Sequence, residues 1–114
     1  MKEYIFGGDF LVPLRELNIN RPVSLNRFTG GNELQTKINK WASRYDKYAP
    51  IEQLEKYKNE ISELDEEGIT LLREIKSLFE LNGETEFQLF YLSLINGMFC
   101  IDSNNDTLVR IKSR

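Results

Sequence analysis

The sequence predicts a single α+β domain: an N-terminal β-prone segment, two or three helices, then a C-terminal three-stranded antiparallel meander. Three observations predict it. Apolar residues recur at three- and four-residue spacing from Leu34 to Phe79, which is the period of an amphipathic helix. The last third switches to strand-type residues around Asn96-Gly97, a hairpin dipeptide. The 114 residues contain no repeat, low-complexity tract or composition break that would mark a second domain.

Near the start, Tyr4-Ile5-Phe6 and Phe10-Leu11-Val12 are short β-prone runs separated by Gly7-Gly8-Asp9, a turn signal. Pro13 cannot donate to a ladder, so the second run is expected at a sheet edge or a strand end. Residues 18–31, with Asn18, Asn20, Pro22, Ser24, Asn26 and Gly30-Gly31, read as a long loop. Asn32 is the expected helix N-cap, because its side chain can accept from first-turn amides. Leu34, Ile38, Trp41, Tyr45 and Tyr48 then form one apolar face, ended by Pro50.

Pro50 also suits the first position of the next helix. Leu54, Tyr57, Ile61, Leu64, Gly68, Leu71, Leu72, Ile75, Leu78 and Phe79 keep helical spacing as far as the Asn82-Gly83 stop. The periodicity fits one long helix or two with a break near residues 59–62. Gly68 falls on the apolar face, where glycine costs about 1 kcal/mol against alanine; close approach of another element explains it. Strands are then expected at Phe87 to Ile95, Met98 to Asp102 and Thr107 to Lys112, with Ser103 to Asp106 as the second turn. Both faces of the first of these carry apolar residues, as in a central strand.

A chain of this length buries about two-thirds of its unfolded surface and needs no metal or disulfide to fold. Cys100 is the only cysteine, which excludes an intrachain disulfide; Met98-Phe99-Cys100-Ile101 reads as a buried strand thiol. Met1-Lys2-Glu3-Tyr4 lacks the apolar run of a signal peptide, and no segment approaches the roughly 20 apolar residues of a membrane span. The expected location is cytoplasmic, away from membranes.

Histidine is absent, which removes the commonest general base, the Ser-His-Asp and Cys-His arrangements and the commonest zinc ligand. Gly7-Gly8 and Gly30-Gly31 lack the residues of a phosphate-binding loop and read as turns. Asp102-Ser103-Asn104-Asn105-Asp106 begins like a calcium loop but lacks its glycine and distal glutamate. No catalytic, cofactor or metal residue is therefore expected, and the chain is not expected to be an enzyme. Trp41, in phase with Leu34, Ile38 and Tyr45, is expected in the core.

The net charge of −3 argues against a nucleic-acid partner. Its distribution is uneven. Between Ile51 and Gly68 there are seven acidic residues (Glu52, Glu55, Glu60, Glu63, Asp65, Glu66, Glu67) against Lys56 and Lys58. Between Arg15 and Tyr48 the balance reverses, with Arg15, Arg21, Arg27, Lys37, Lys40, Arg44 and Lys47 against Glu16, Glu33 and Asp46. On a continuous helix Tyr57, Ile61, Leu64, Gly68 and Ile75 point inward. Glu52, Glu55, Glu63 and Glu66 then point outward, with Glu60, Glu67 and Glu74 along one flank. Such a face is either merely solvated or a docking surface for a basic protein, whose approach it would steer. The candidate partner-binding residues are Glu60, Glu63, Glu66, Glu67 and Glu74.

Leu34-x3-Ile38-x2-Trp41-x3-Tyr45-Asp46, then Asp65-Glu66-Glu67-Gly68-x2-Leu71-Leu72-x2-Ile75 and an aromatic strand, resembles a pattern in small bacterial immunity proteins. Those proteins neutralise toxin domains of contact-dependent or polymorphic toxin systems. The resemblance covers residues 34 to 92, mostly core positions, and carries no binding residue across. The resemblance implies a shared fold. Taken with the acidic helical face and the absence of catalytic residues, the expected function is a non-enzymatic inhibitor that binds a toxin domain with a basic surface, such as a nuclease, as a monomer or homodimer. The alternative is a structural or adaptor subunit, of phage or mobile-element origin, that self-associates.

Overall fold

The computed structural model describes residues 1–8, 10, 12–48 and 51–112, with Ile51, Gln53 and Lys112 described by backbone alone. Strands are β1 (Lys2–Phe6), β2 (Leu14–Glu16), β3 (Arg21–Pro22), β4 (Phe87–Ser93), β5 (Gly97–Asp102) and β6 (Asn105–Lys112). Helices are α1 (Gly31–Tyr45), the four-residue α2 (Ile51–Leu54) and the 24-residue α3 (Lys58–Leu81). The α+β class is as the sequence predicts. The sheet is larger: the β4–β5–β6 meander is one half of a six-stranded mixed sheet of order β3-β2-β1-β4-β5-β6.

Its two halves join where β1 lies parallel to β4, Tyr4 opposite Leu89 and Phe6 opposite Tyr91. Alternation then decides what the helices meet. Tyr4, Phe6, Leu14, Phe87, Leu89 and Tyr91 are buried on one face, against Leu34, Ile38, Trp41 and Tyr45 of α1 and Ile61, Leu72, Ile75 and Phe79 of α3. Phe6 stacks on Trp41 at 4.9 Å, and Phe79 meets Tyr4 at 4.9 Å and Phe87 edge-on at 5.3 Å. Ring pairs of this kind add about 0.5–1.5 kcal/mol each beyond the area they bury. Glu3, Arg15, Gln88, Phe90, Leu92, Met98 and Cys100 alternate onto the other face and are half-exposed.

Several local expectations need correction. The second N-terminal strand is Leu14–Glu16, after Pro13; Phe10 and Val12 lie in bends, and Asp9 and Leu11 lie outside the described residues. Pairing with Tyr4, Ile5 and Phe6 puts the strand there, since Pro13 has no N–H to give a ladder. The loop of residues 18–31 contains β3 and a 3-10 turn at Leu25–Arg27. The cap of α1 is Gly30, in left-handed conformation, and Asn32 is already inside the helix, its carbonyl accepting from Thr36.

The helical region after Tyr48 is divided, but at residues 55–57, one turn before the expected break. The roles expected of Pro50 lie outside the described residues. The β4–β5 connection is three residues, Leu94–Asn96, followed by Gly97 at φ +88°, and is not a two-residue Asn-Gly turn. Cys100 is in a strand as expected, but half-exposed on the open face of the sheet. Burial first, and the charges of Asp102 and Glu3 after it, push its thiol pKa up.

Candidate functional site

Helix α3 treats its acidic residues in three ways. Glu60, Glu63 and Glu66 are exposed, and among the described residues none has a basic group within ion-pair distance. Glu52 and Glu55 are exposed too, before the start of α3. Glu67 and Glu74, expected to share the docking face, are turned instead to α1. Glu67 receives both guanidinium nitrogens of Arg44, at 3.0 and 2.6 Å, and Glu74 takes the Lys37 ammonium at 3.2 Å.

The Arg44–Glu67 pair is bidentate, and the Glu67 carboxylate raises the guanidinium pKa further. Both partners are about half-exposed, so the pair is worth on the order of 0.2–1 kcal/mol. The basic excess of α1 and the acidic excess of α3 thus meet in one seam. Beside it runs an open groove of about 510 Å³, with Lys37, Lys40 and Arg44 on one wall and Glu63, Glu66, Glu67 and Glu74 on the other.

The third way is burial, and the sequence reading missed it. Asp65 is 4% exposed. Its Oδ1 accepts from the Tyr45 hydroxyl at 2.8 Å and the Tyr91 hydroxyl at 2.7 Å. Its Oδ2 accepts from the Ser93 hydroxyl at 2.6 Å and the Asn96 amide at 3.4 Å. Four donors match the four acceptor positions of a carboxylate, so its buried oxygens are satisfied without a cation.

The network reaches further. The Tyr45 oxygen accepts the Leu94 N–H at 3.0 Å, and the Ser93 oxygen accepts those of Ile95 and Asn96 at 3.2 and 2.9 Å. One carboxylate therefore ties α3 to α1 and to the β4–β5 loop. The available signal was phase: Asp65 stands four residues after Ile61 and three before Gly68, on the inward stripe.

Burial, with the Asp65 charge second, drives the pKa of Tyr45 and Tyr91 far above the ordinary tyrosine value. The Tyr4 hydroxyl is also buried and, among the described residues, has no hydrogen-bond partner within bonding geometry; its pKa too is raised, first by burial.

Next to Asp65, Trp41 is 1% exposed and donates its indole N–H to the Leu64 carbonyl at 2.8 Å, the core position expected of it. Gly68 makes this arrangement possible. A Cβ there would sit 2.5 Å from the Tyr91 hydroxyl oxygen and 2.7 Å from Cζ2 of Trp41. The close approach expected of Gly68 is thus to a hydroxyl and an indole ring. At the other end of α3, Lys76 is buried; its ammonium binds the exposed Asp106 carboxylate, and Arg73 donates to the Asp106 carbonyl at 2.8 Å. Lys76 holds the Asp106 carboxyl below the usual carboxylate range.

Of the expected Ser103 to Asp106 turn only Ser103 and Asn104 are turn residues; β6 starts at Asn105, two residues before the expected Thr107. Asp102 accepts the Asn104 N–H at 2.8 Å and Asn105 accepts that of Thr107 at 2.9 Å. Among the described residues no three His, Cys, Asp or Glu side chains are grouped to hold a metal ion, and no helix is long and apolar enough to cross a membrane. The residues that carry the immunity-protein resemblance, namely Leu34, Ile38, Trp41, Tyr45, Asp65, Gly68, Leu71, Leu72 and Ile75, are all buried; Asp46, Glu66 and Glu67 are exposed. Compared with known proteins, the chain matches no family model, no curated protein and no solved structure.

Proposed function

We propose that this chain is a non-enzymatic inhibitor of the immunity or antitoxin kind, which neutralises a toxin domain by covering a basic surface with the carboxylates of α3. The observation that carries the reading is the exposed triad Glu60, Glu63 and Glu66, none of which makes an ion pair among the described residues. Like charges three apart on a helix repel by a few tenths of a kcal/mol, so the triad costs the isolated protein a little stability. A basic partner recovers that cost on binding.

The helix beneath the triad is held by Trp41 and by the Asp65 network, so the carboxylates are presented on a fixed frame and binding orders little backbone. A nuclease toxin fits this surface, because its nucleic-acid groove must be basic. Glu67 and Glu74 pair with α1 and line the same groove as Glu63 and Glu66, so they border the docking face.

The test uses the protein encoded beside this one. Wild-type chain should form a stoichiometric complex with it and abolish its toxic activity, and E60K/E63K/E66K should fold normally yet fail to protect. Full protection by the triple reversal would contradict the reading.

A further inference from the structure

The sheet ends in two unlike edges. One is β3, two residues long and containing Pro22, a length and composition that offer little to another strand. The other is β6, eight residues long, paired with β5 on one side and, among the described residues, with no strand on the other. Its Val109 and Ile111 are 50% and 49% exposed, although both belong to a strand. A row of backbone donors and acceptors this long, flanked by apolar side chains, is a template for one more strand.

The sequence of β6 is self-complementary. Two copies paired antiparallel about a two-fold axis normal to the sheet must keep each side chain on its own face. The axis must therefore pass through a residue. Centred on Leu108, that axis puts Asp106 of each copy opposite Arg110 of the other, twice, and Thr107 opposite Val109, also twice. Asp106 and Arg110 share the helix-bearing face: Lys76 of α3 binds Asp106, and Arg110 stands opposite Phe99, which packs on the core. Arg110 makes no ion pair among the described residues, so its charge is available to a partner.

We propose that β6 is a homodimer edge. A second copy of this chain pairs antiparallel on it, centred on Leu108, joining two six-stranded sheets into one of twelve. The open-face row Ile5, Phe90, Cys100 and Val109 would then continue across the seam to Thr107 of the second copy. Two irregularities in the pairing of β6 with β5 add local twist, which a symmetric partner carries equally. The edge contacts α3 through Arg73 and Lys76 and leaves the Glu60, Glu63 and Glu66 triad untouched, so this inference and the inhibitory reading stand or fall separately.

The test is sedimentation equilibrium of the full chain over a wide concentration range. The expected mass rises to twice the 13.4 kDa of one chain, and Arg110→Asp, which sets like charges opposite each other twice, weakens association by about tenfold or more. Register is read by cross-linking in a Cys100→Ser background. Leu108→Cys should oxidise rapidly to a covalent dimer, because residues directly opposite have Cβ atoms about 4.5–5.5 Å apart. Thr107→Cys should cross-link far more slowly. A single-chain mass at every concentration would overturn the proposal, as would faster cross-linking at Thr107 than at Leu108.

Discussion

Asp65 and Glu66 are consecutive residues of α3, yet they live in different media. Asp65 is buried under two tyrosines, a serine and an asparagine, and each of its oxygens is occupied. Glu66 is exposed, and with Glu60 and Glu63 it finds no basic partner among the described residues. The difference shows what a carboxylate can be used for. Inside, it is tolerable only when fully hydrogen-bonded, and then it fixes the geometry of everything that donates to it. Outside, it contributes almost nothing to the fold and is free to meet another molecule.

The sharpest way to break this contrast is Asp65→Ala. Two tyrosine hydroxyls, a serine hydroxyl and an amide lose their acceptor in the interior, so unfolding free energy in urea should fall by about 3 kcal/mol or more. Asp65→Asn keeps the shape but replaces an acceptor with a donor, and should lose about half as much. A loss below about 1 kcal/mol for the alanine variant would mean that water or a rearranged loop replaces the carboxylate with little cost.

Next in size is Gly68→Ala. Helix propensity alone favours alanine by about 1 kcal/mol. The added methyl would collide with Tyr91 and Trp41 and push the Tyr91 hydroxyl off Asp65. A net destabilisation of about 1–3 kcal/mol is expected, with changed tryptophan fluorescence. A stabilised variant would show that the interface relaxes freely.

A smaller effect, visible only in alkali, concerns Tyr45 and Tyr91. Their folded pKa values are raised, so the stability they confer is intact below the ordinary tyrosine value of 10.0 and is lost as pH climbs above it. The unfolded chain then releases protons that the native state retains. Ultraviolet titration should show these two tyrosines ionising only as the protein unfolds, and Tyr45→Phe should remove one equivalent from that late step. Ionisation of both without loss of the fold would contradict the burial that raises them.

These residues also show what could be read from sequence. The helical faces, the Gly68 approach, the core position of Trp41 and a hairpin turn at Ser103–Asn104 depend on neighbours a few positions away, and local pattern exposes them. The parallel pairing of Lys2–Phe6 with residues 87–91 joins segments more than 80 positions apart, and no local pattern encodes it. Asp65 was hidden by its company, counted with six other acids although it shares the phase of Ile61 and Gly68. Basic and acidic stretches were legible as composition. That Arg44 meets Glu67 and Lys37 meets Glu74 depends on how two helices cross, which charge counting does not supply.

The smallest expected effect on stability is at the surface, where E60K/E63K/E66K should shift unfolding by no more than about 0.5 kcal/mol per site. The same variant gives the most direct test, through the rate at which the chain associates with the proposed toxin partner at several salt concentrations. The wild-type rate should fall steeply as salt is added, while the triple reversal should associate slowly at low salt and respond weakly or inversely. Equal rates with equal salt dependence would contradict the claim that the outward carboxylates of α3 are there to be met.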